Sequence, residues 1–184
     1  MEKIFFDKIS RILKNRKRLE DKLKVKIVIH GNYILIEGEP EKEYIAKKVL
    51  DALNFGFPLS VAFLIKDKDF EFEELNIKDY TKRKDLSVVR ARIIGKKGKT
   101  FRTLNQLTNC FFEIKGNRVG IVGEPEYIKN AQNSIISLVR GAKQANVYHF
   151  LEKHRVKPVF DFGLKEIKKP KPKKKKSFKK FNSV

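Results

Sequence analysis

Hydrophobic and polar positions along the chain repeat with an offset of 85 residues. Gly38-Glu39-Pro40-Glu41 in the first half aligns with Gly123-Glu124-Pro125-Glu126 in the second half. Six apolar pairs follow the same offset: Ile9 with Ile94, Leu19 with Leu104, Ile29 with Ile114, Ile36 with Ile121, Ala46 with Ala131, and Leu53 with Leu138. Similarity at a fixed spacing is typical of duplicated structural units. The sequence therefore predicts two copies of one unit.

Each copy is predicted to be an α+β unit in the order strand, helix, helix, strand, strand, helix. In the second copy, alternation over Cys110–Lys115 predicts a strand, with Cys110 as a core residue. Gly116-Asn117 predicts a two-residue hairpin turn. The other elements predicted there are a strand at Leu86–Arg90, a helical turn at Ala91–Ile94, a helix at Thr100–Thr108, a strand at Arg118–Val122 and a helix ending near Gly141.

The first copy follows the same order, with its hairpin turn predicted at Gly31-Asn32. Its predicted elements are a strand at Ile4–Phe6, helices at Lys8–Leu13 and Arg16–Leu23, strands at Val25–Ile29 and Tyr33–Glu37, and a helix from Glu41 to about Leu53. Between the copies, Pro58–Ile65 predicts a short apolar helix. Asp67–Glu74 holds five acids and is interpreted as an edge strand or spacer, or else as a protein-docking edge or a stretch that directs RNA elsewhere.

The segment that joins two helices of the second copy is basic and contains two glycines. Arg90–Arg102 has six basic side chains and no acid, and it places two lysines between Gly95 and Gly98. Glycine reaches positive φ easily and lets a ligand approach the backbone. The N–H groups that open the next helix are unsatisfied and attract phosphate. A strand, a short helix, a basic GxxG loop and an amphipathic helix in this order are typical of KH domains, whose loop clamps a nucleic-acid backbone.

The first copy differs from the second copy at this loop. Ser10–Leu13 occupies the aligned positions, and both glycines are absent. Without glycine the backbone does not easily adopt a tight turn that faces phosphate. The sequence therefore predicts that only the second copy retains the clamp, with a groove for about four nucleotides of a single strand.

The predicted RNA-binding residues lie on or beside the loop. The glycines would hold the sugar-phosphate backbone, the basic side chains would supply charge, and Thr100 would hydrogen-bond a phosphate. Ile93 and Ile94 would form an apolar floor under the bases, although core packing is an equally open interpretation for one of them. The full set is Arg92, Ile93, Ile94, Gly95, Lys96, Lys97, Gly98, Lys99, Thr100 and Arg102.

The net charge of +21 over 184 residues indicates a polyanionic partner. Residues 165–180 hold ten lysines and one acid, Glu166, so the rest of the chain still carries +12. From Pro158 onward proline and lysine dominate, and the apolar periodicity is lost. This composition predicts a disordered basic tail that attracts phosphate independently of sequence.

Other classes of protein are disfavoured by what the sequence lacks. No apolar run approaches the roughly 20 residues that span a bilayer, and the first residues do not form a signal peptide. A single cysteine excludes an intramolecular disulfide and a cysteine-based zinc site. No catalytic triad, phosphate loop or paired catalytic carboxylate is found, and the three histidines are scattered. We therefore expect a cytoplasmic protein that has no catalytic residues, metal or cofactor and no membrane partner.

Several segments of the second copy carry a likeness to a known family. They are Arg92–Thr100, Leu107-Thr108, Ile121–Glu126, Arg140-Gly141-Ala142 and Val147–Glu152. Together they resemble the Partner-of-Nob (Dim-type) ribosome assembly proteins, and the absence of an N-terminal extension resembles the archaeal form. The likeness covers about residues 1–156 and is stronger in the second half.

This resemblance implies tandem type I KH domains that bind the 3′ region of precursor small-subunit rRNA. It also implies two protein partners, the Nob endonuclease that makes the final 3′ cut and the α subunit of initiation factor 2. The corresponding domains are a first KH domain without GxxG at 1–56, a connecting segment at 57–84, a second KH domain with a terminal helix at 85–156, and the tail at 157–184. Archaeal relatives commonly keep a glycine loop in the first domain, so Ser10–Leu13 favours a packing or protein-facing role for that copy.

Two other functions remain open at this point. A KH adaptor of an exosome or transcription complex would carry the same loop. A protein-interaction scaffold would need no basic loop, so the paired glycines and lysines argue against it.

Overall fold

The computed structural model describes residues 3–6, 9–31 and 33–154, which form two α+β halves. The first half contains β1 (Lys3–Phe5), α1 (Ile9–Leu23), β2 (Lys26–His30), β3 (Tyr33–Glu37) and α2 (Pro40–Phe55), followed by the short helices α3 (Leu59–Ala62) and α4 (Leu64–Asp67). The second half contains β4 (Glu71–Asn76), α5 (Leu86–Ile94), α6 (Lys99–Thr108), β5 (Phe111–Lys115), β6 (Arg118–Gly123), α7 (Pro125–Arg140) and α8 (Gln144–Lys153). The predicted tail at 157–184 and Asn32 of the predicted turn lie outside the described residues.

Each half has a three-stranded antiparallel sheet whose central strand is the second arm of a hairpin. The strand orders are β1-β3-β2 and β4-β6-β5. Phe5 pairs with Tyr33 in the first sheet, and Glu71 pairs with Gly123 in the second. The same topology occurs twice along the chain, which confirms the predicted pair of α+β units.

The first copy has one long helix where the sequence predicted two. α1 runs without a break through Ser10–Leu13, so the separate helices predicted at Lys8–Leu13 and Arg16–Leu23 are wrong. Ile12 and Leu19 are both buried on the core side of this helix. The segment contains neither glycine nor proline, so no residue in it interrupts the helical hydrogen bonds.

The predicted strand Leu86–Arg90 is also wrong, because these residues and the helical turn after them form the single helix α5. Asp85 caps this helix by accepting a hydrogen bond from the Ser87 N–H at 2.9 Å. Val89 and Ile93, four residues apart, are buried in the core of the second half. The cap and the core contacts therefore override the strand preference of a β-branched run.

The strand that opens the second half is β4, which lies at the edge of the sheet and pairs with β6. It overlaps the acidic segment Asp67–Glu74, for which an edge strand was one of the interpretations. β4 lies within the predicted connecting segment 57–84. The second sheet therefore begins ahead of the predicted domain start at residue 85.

The first half packs against the outer face of the second sheet through aromatic rings. Along β6, Val119 and Ile121 belong to the core of the second half, while Gly120 faces the first half. A Cβ on Gly120 would lie 2.7 Å from the ring of Phe55 and 2.8 Å from that of Phe57. Glycine thus lets the end of α2 lie directly against the sheet, and this contact fixes one half on the other.

The last described element is the terminal helix α8, which confirms the helix predicted after Gly141. Val147 and Leu151 of α8 are buried in the core of the second half. Within the described ranges, no helix is both long enough and apolar enough to cross a membrane.

Candidate nucleic-acid interface

Gly95 ends α5 and turns the chain into the loop. Its φ of 74° and ψ of 171° lie in a region that is open almost only to glycine. A Cβ at this position would lie 2.1 Å from Oγ1 of Thr100. The Gly95 N–H donates to the Ala91 carbonyl at 2.8 Å, which closes the last turn of α5. Glycine is therefore required here both by the backbone conformation and by the close approach of α6.

The loop continues through two residues in left-handed conformations. Lys97 has φ 53° and ψ 31°, and Gly98 has φ 73° and ψ 15°. No atom lies within 4 Å of a Cβ added to Gly98, so the space above this glycine is open. Gly98 is also the N-cap of α6 and supplies no side-chain hydrogen bond to the helix. A phosphate can approach the start of α6 at this point.

Four basic side chains surround this opening. Lys96, Lys97, Lys99 and Arg102 are all exposed. Arg102 donates from Nη2 to the Lys97 carbonyl at 2.8 Å, which supports the loop from α6. Within the described part of the chain, no ion pair is formed by the three lysines, so their charge is available to a ligand.

Arg92 and Thr100, both predicted to contact RNA, make internal hydrogen bonds. The Arg92 guanidinium donates from Nη2 to the carbonyls of Gly141 and Ala142 at 2.7 and 2.6 Å. Thr100 is buried, and its Oγ1 accepts from Nε2 of Gln144 at 2.8 Å. These bonds fasten the loop region to the start of α8. Whether either side chain also touches RNA stays a prediction.

Gln144 is a residue that the sequence reasoning missed. Its Nε2 donates to the Arg92 carbonyl at 3.2 Å as well as to Thr100, so one amide bridges α5 and α6. The family resemblance includes the neighbouring segment Arg140-Gly141-Ala142, but it assigned no role to Gln144. Only the folded position of α8 beneath the loop reveals the bridge.

The structure separates the two isoleucines of the predicted apolar floor. Ile93 is fully buried in the core, while Ile94 is 39% exposed. Ile94, Phe101 and Ile114 line a groove beside the loop. Core packing is thus the role of Ile93, and Ile94 supplies the apolar surface on which bases are predicted to lie.

The far side of this groove is polar. Arg90 donates from Nη1 to Oδ1 of Asn117 in the β5–β6 turn, and the Glu113 side chain lies along the same wall. The groove thus has an apolar floor between polar rims, which suits a single strand whose bases face inward.

The first copy has no opening at the aligned position. Ser10–Leu13 lies within α1, and Arg11 of this segment is bonded to the end of α2. Its guanidinium donates from Nη1 to the carbonyls of Leu53 and Gly56 at 3.3 and 3.2 Å, and from Nη2 to that of Phe57 at 2.7 Å. This segment therefore has a packing role in the structure.

Cys110 is a buried core residue, as its strand pattern predicted. Burial raises the pKa of its thiol from 9.0 to about 11. A thiol with so high a pKa is a poor nucleophile, because the reactive form is the thiolate.

Comparison with protein families shows what the second half of the chain is similar to. A model of the second KH domain of PNO1 proteins, described as a eukaryotic-type (type I) KH domain, matches residues 71–156. A KH domain-containing protein of Methanocaldococcus jannaschii is 33% identical over 150 residues, which are 77% of this chain and 66% of that protein. The pre-rRNA-processing protein PNO1 of Chaetomium thermophilum is 34% identical over 103 residues, 54% of this chain and 39% of that protein. The chain thus spans about two thirds of the first relative and less than half of the second.

Solved structures extend the similarity to both halves. The crystal structure of Dim2p from Pyrococcus horikoshii matches with a TM-score of 0.76 and 27% identity, covering 83% of this chain and 98% of that one. The same archaeal protein in a complex with a/eIF2alpha and rRNA matches with the same score and identity, covering 84% of this chain and 93% of that one. The tandem KH arrangement is therefore shared along nearly all of the described chain.

Proposed function

We propose, from the membership of this chain in the Dim/PNO1 type of KH-domain proteins, that it is an RNA-binding assembly factor of the small ribosomal subunit. The family is an RNA-binding family and not a known enzyme family. In this proposal the second copy holds a single strand near the 3′ end of precursor small-subunit rRNA. The bound RNA is presented for 3′-end maturation by a Nob-type endonuclease in the cytoplasm.

The observation that carries the proposal is the geometry of the glycine loop. Gly95 and Gly98 take conformations that favour glycine, the start of α6 has no side-chain cap, and exposed lysines surround it. Exposed positive charge at an uncapped helix start is a phosphate site. The apolar groove beside it supplies a surface for bases, so backbone and bases are bound together.

The identity of the RNA and of one protein partner is supported by the relatives. The Chaetomium relative is a pre-rRNA-processing protein, and the Pyrococcus relative forms a complex with rRNA and a/eIF2alpha. By this analogy the α subunit of initiation factor 2 is a second proposed partner. The proposal that a Nob-type endonuclease is a partner rests on the family resemblance alone.

The first test reverses the charge of the loop. The full-length chain and its Lys96→Asp/Lys97→Asp variant are titrated into a labelled oligonucleotide from the rRNA 3′ end at several salt concentrations. We expect affinity to fall roughly tenfold or more, and the salt slope to fall by about 0.7 for each phosphate that the variant no longer neutralises. Lys129→Asp/Lys153→Asp, at exposed positions of α7 and α8 that do not line the groove, is the control with the same change in charge. Equal losses in the two variants would show that binding depends on net charge and not on the loop.

The second test identifies the RNA in the cell. Crosslinked reads should cluster near the 3′ end of small-subunit rRNA. Reads spread over mRNA, together with co-purifying exosome or polymerase subunits, would instead favour an adaptor of an RNA-degrading or transcription complex.

A further inference from the structure

The two halves enclose a cavity that adjoins the groove but is separate from it. Its volume is about 320 Å³, within the range of about 300–1,000 Å³ that is typical of ligand sites. Phe6, Arg11 and Ile12 of the first half form one wall, and Glu113–Lys115 of β5 form the other. The lining combines apolar side chains with four polar ones, Arg11, Asn54, Glu113 and Lys115, and such mixed linings are found in sites for small organic ligands.

The cavity and the groove meet at β5. Glu113 and Ile114 line both of them. β5 is an edge strand, since the order of the sheet is β4-β6-β5. The cavity and the groove therefore share a wall at the edge strand of the sheet, where a base next to those in the groove would lie.

Arg11 gives the cavity a rigid planar wall. Its three hydrogen bonds to carbonyls at the end of α2 fix the guanidinium plane before any ligand arrives. Guanidinium planes stack on nucleobases, and a side chain that is already ordered loses little entropy on binding. The half-buried Ile114 and the edge of Phe6 add apolar surface, so the cavity suits a flat aromatic ring.

Glu113 supplies the acceptor for the edge of that ring. Within the described ranges its carboxylate has no hydrogen-bond or ion-pair partner, although the chain is strongly basic. Gly56 lets it approach, because a Cβ at this glycine would lie 3.3 Å from Cγ of Glu113. An ionised carboxylate only accepts hydrogen bonds, and its two oxygens can accept from two adjacent N–H groups.

Guanine fits this acceptor better than the other RNA bases. Its Watson–Crick edge carries a ring N–H next to an exocyclic amino group, which together match the two carboxylate oxygens. Uracil presents one N–H between two carbonyls, and those carbonyls would face the negative charge. Adenine and cytosine each offer an amino group beside an unprotonated ring nitrogen.

We propose that the cavity between the halves is a nucleobase site in which Glu113 selects guanine and Arg11 stacks on it. This inference rests on the proposed RNA-binding function and adds a sequence preference to it. It also gives α1 a part in binding RNA at the place where the glycine loop is missing. RNA is favoured over a protein side chain as the occupant because Glu113 and Ile114 line both the cavity and the proposed RNA groove.

The test uses the full-length chain and a set of oligonucleotides. A single guanine is moved along an otherwise uridine background, and the best position is then replaced by uracil and by inosine, which lacks the exocyclic amino group. We expect the chain to prefer guanine over uracil by roughly tenfold or more, and to bind inosine more weakly than guanine. Glu113→Gln should reduce both differences severalfold. Glu126→Gln, the same change at an exposed acid of α7, should leave both unchanged.

Each outcome of this test is decisive for the cavity. Equal affinity for guanine and uracil would overturn the guanine site, and so would an unchanged preference for guanine in Glu113→Gln. A side chain of a partner protein would then be the alternative occupant of the cavity. Neither result would affect the loop test, because Lys96→Asp/Lys97→Asp is expected to weaken binding to every oligonucleotide alike. The guanine site and the RNA-binding function can therefore fail separately.

Discussion

In each half an arginine donates hydrogen bonds to the carbonyls at the end of the last repeat helix, but the two arginines occupy different positions of the repeat. In each half, the last helix of the repeat ends with carbonyls that lack partners within the helix. In the second half, Arg92 from α5 donates to the carbonyls of Gly141 and Ala142. In the first half, Arg11 donates to the carbonyls of Gly56 and Phe57, which are the aligned positions. The acceptors match, and the donors do not.

This difference explains how one copy can have a loop and the other cannot. In the second half the arginine precedes the loop, so Gly95–Gly98 takes no part in these hydrogen bonds. In the first half the arginine lies inside the segment that aligns with the loop, so Ser10–Leu13 is held against α2. In the first half this segment therefore fastens the end of α2, whereas in the second half it leaves the backbone of the glycine loop open.

The largest effect is expected from a Cβ at Gly95. Gly95→Ala places a methyl group 2.1 Å from Oγ1 of Thr100 and forces alanine into a conformation open almost only to glycine. We expect the free energy of unfolding to fall by about 3 kcal/mol, from backbone strain and overpacking together. Chemical denaturation monitored by circular dichroism would measure this loss.

Two control substitutions show whether the cost belongs to the loop. Gly98→Ala meets no neighbouring atom and should cost only about 1 kcal/mol, from its left-handed conformation. Ser10→Gly at the aligned position of the first half should cost about 0.5–1 kcal/mol, because it only weakens a helix. If Gly95→Ala were as mild as these two, the close approach of Thr100 would not constrain the loop.

Replacing either arginine by lysine is expected to have a smaller effect than Gly95→Ala, and the two replacements should cost the same. Arg11→Lys and Arg92→Lys keep the charge but remove the planar fork that reaches two or more carbonyls at once. Each should lower the free energy of unfolding by about 2 kcal/mol, the range for hydrogen bonds made by a charged group. Thermal denaturation of both variants would check this. A large destabilisation in one variant with none in the other would contradict the equivalence of the two arginines.

The presence of a glycine loop in one copy and its absence from the other could be predicted from the sequence, because the difference depends on residue identity. The offset of 85 residues aligned the two copies, and the absence of glycine in Ser10–Leu13 predicted that the first copy has no loop. The same alignment predicted the hairpins and the last helix of each copy, since their apolar positions follow strand and helix periods. These features are local, so a pattern is enough to reveal them.

The features that depend on distant contacts were not visible. Leu86–Arg90 has the composition of a strand, and its helical state depends on the Asp85 cap and on core contacts. The Asp85 cap is a signal that could have been used, whereas the bridge from Gln144 to Thr100 has no signature in the sequence. The same is true of Glu113 and Arg11, which are 102 positions apart in the numbering and line one cavity.

The smallest expected effect compares one aligned core position in the two halves. Cys110 faces Gly123 in the second half, and Val25 faces Gly38 at the aligned positions of the first half. A Cβ added to Gly123 would lie 2.5 Å from the cysteine sulfur, and a Cβ added to Gly38 would lie 3.0 Å from a valine methyl. Cys110→Val should therefore cost no more than about 1 kcal/mol at pH 7, as a tolerated change of core shape. Chemical denaturation at pH 7 and pH 10 would measure it.

The pH dependence of the free energy of unfolding separates the unchanged chain from Cys110→Val more sharply. The folded Cys110 thiol has a pKa of about 11 against 9.0 for an ordinary thiol, so above pH 9 the unfolded chain releases a proton that the folded chain keeps. Stability from this group is complete below pH 9 and falls as pH rises through 11, with a decrease of about 1.4 kcal/mol by pH 10. Between pH 7 and pH 10, the stability of Cys110→Val should fall by that much less than the stability of the unchanged chain. An identical decrease in both proteins would mean that the thiol is not held in its protonated form by the core.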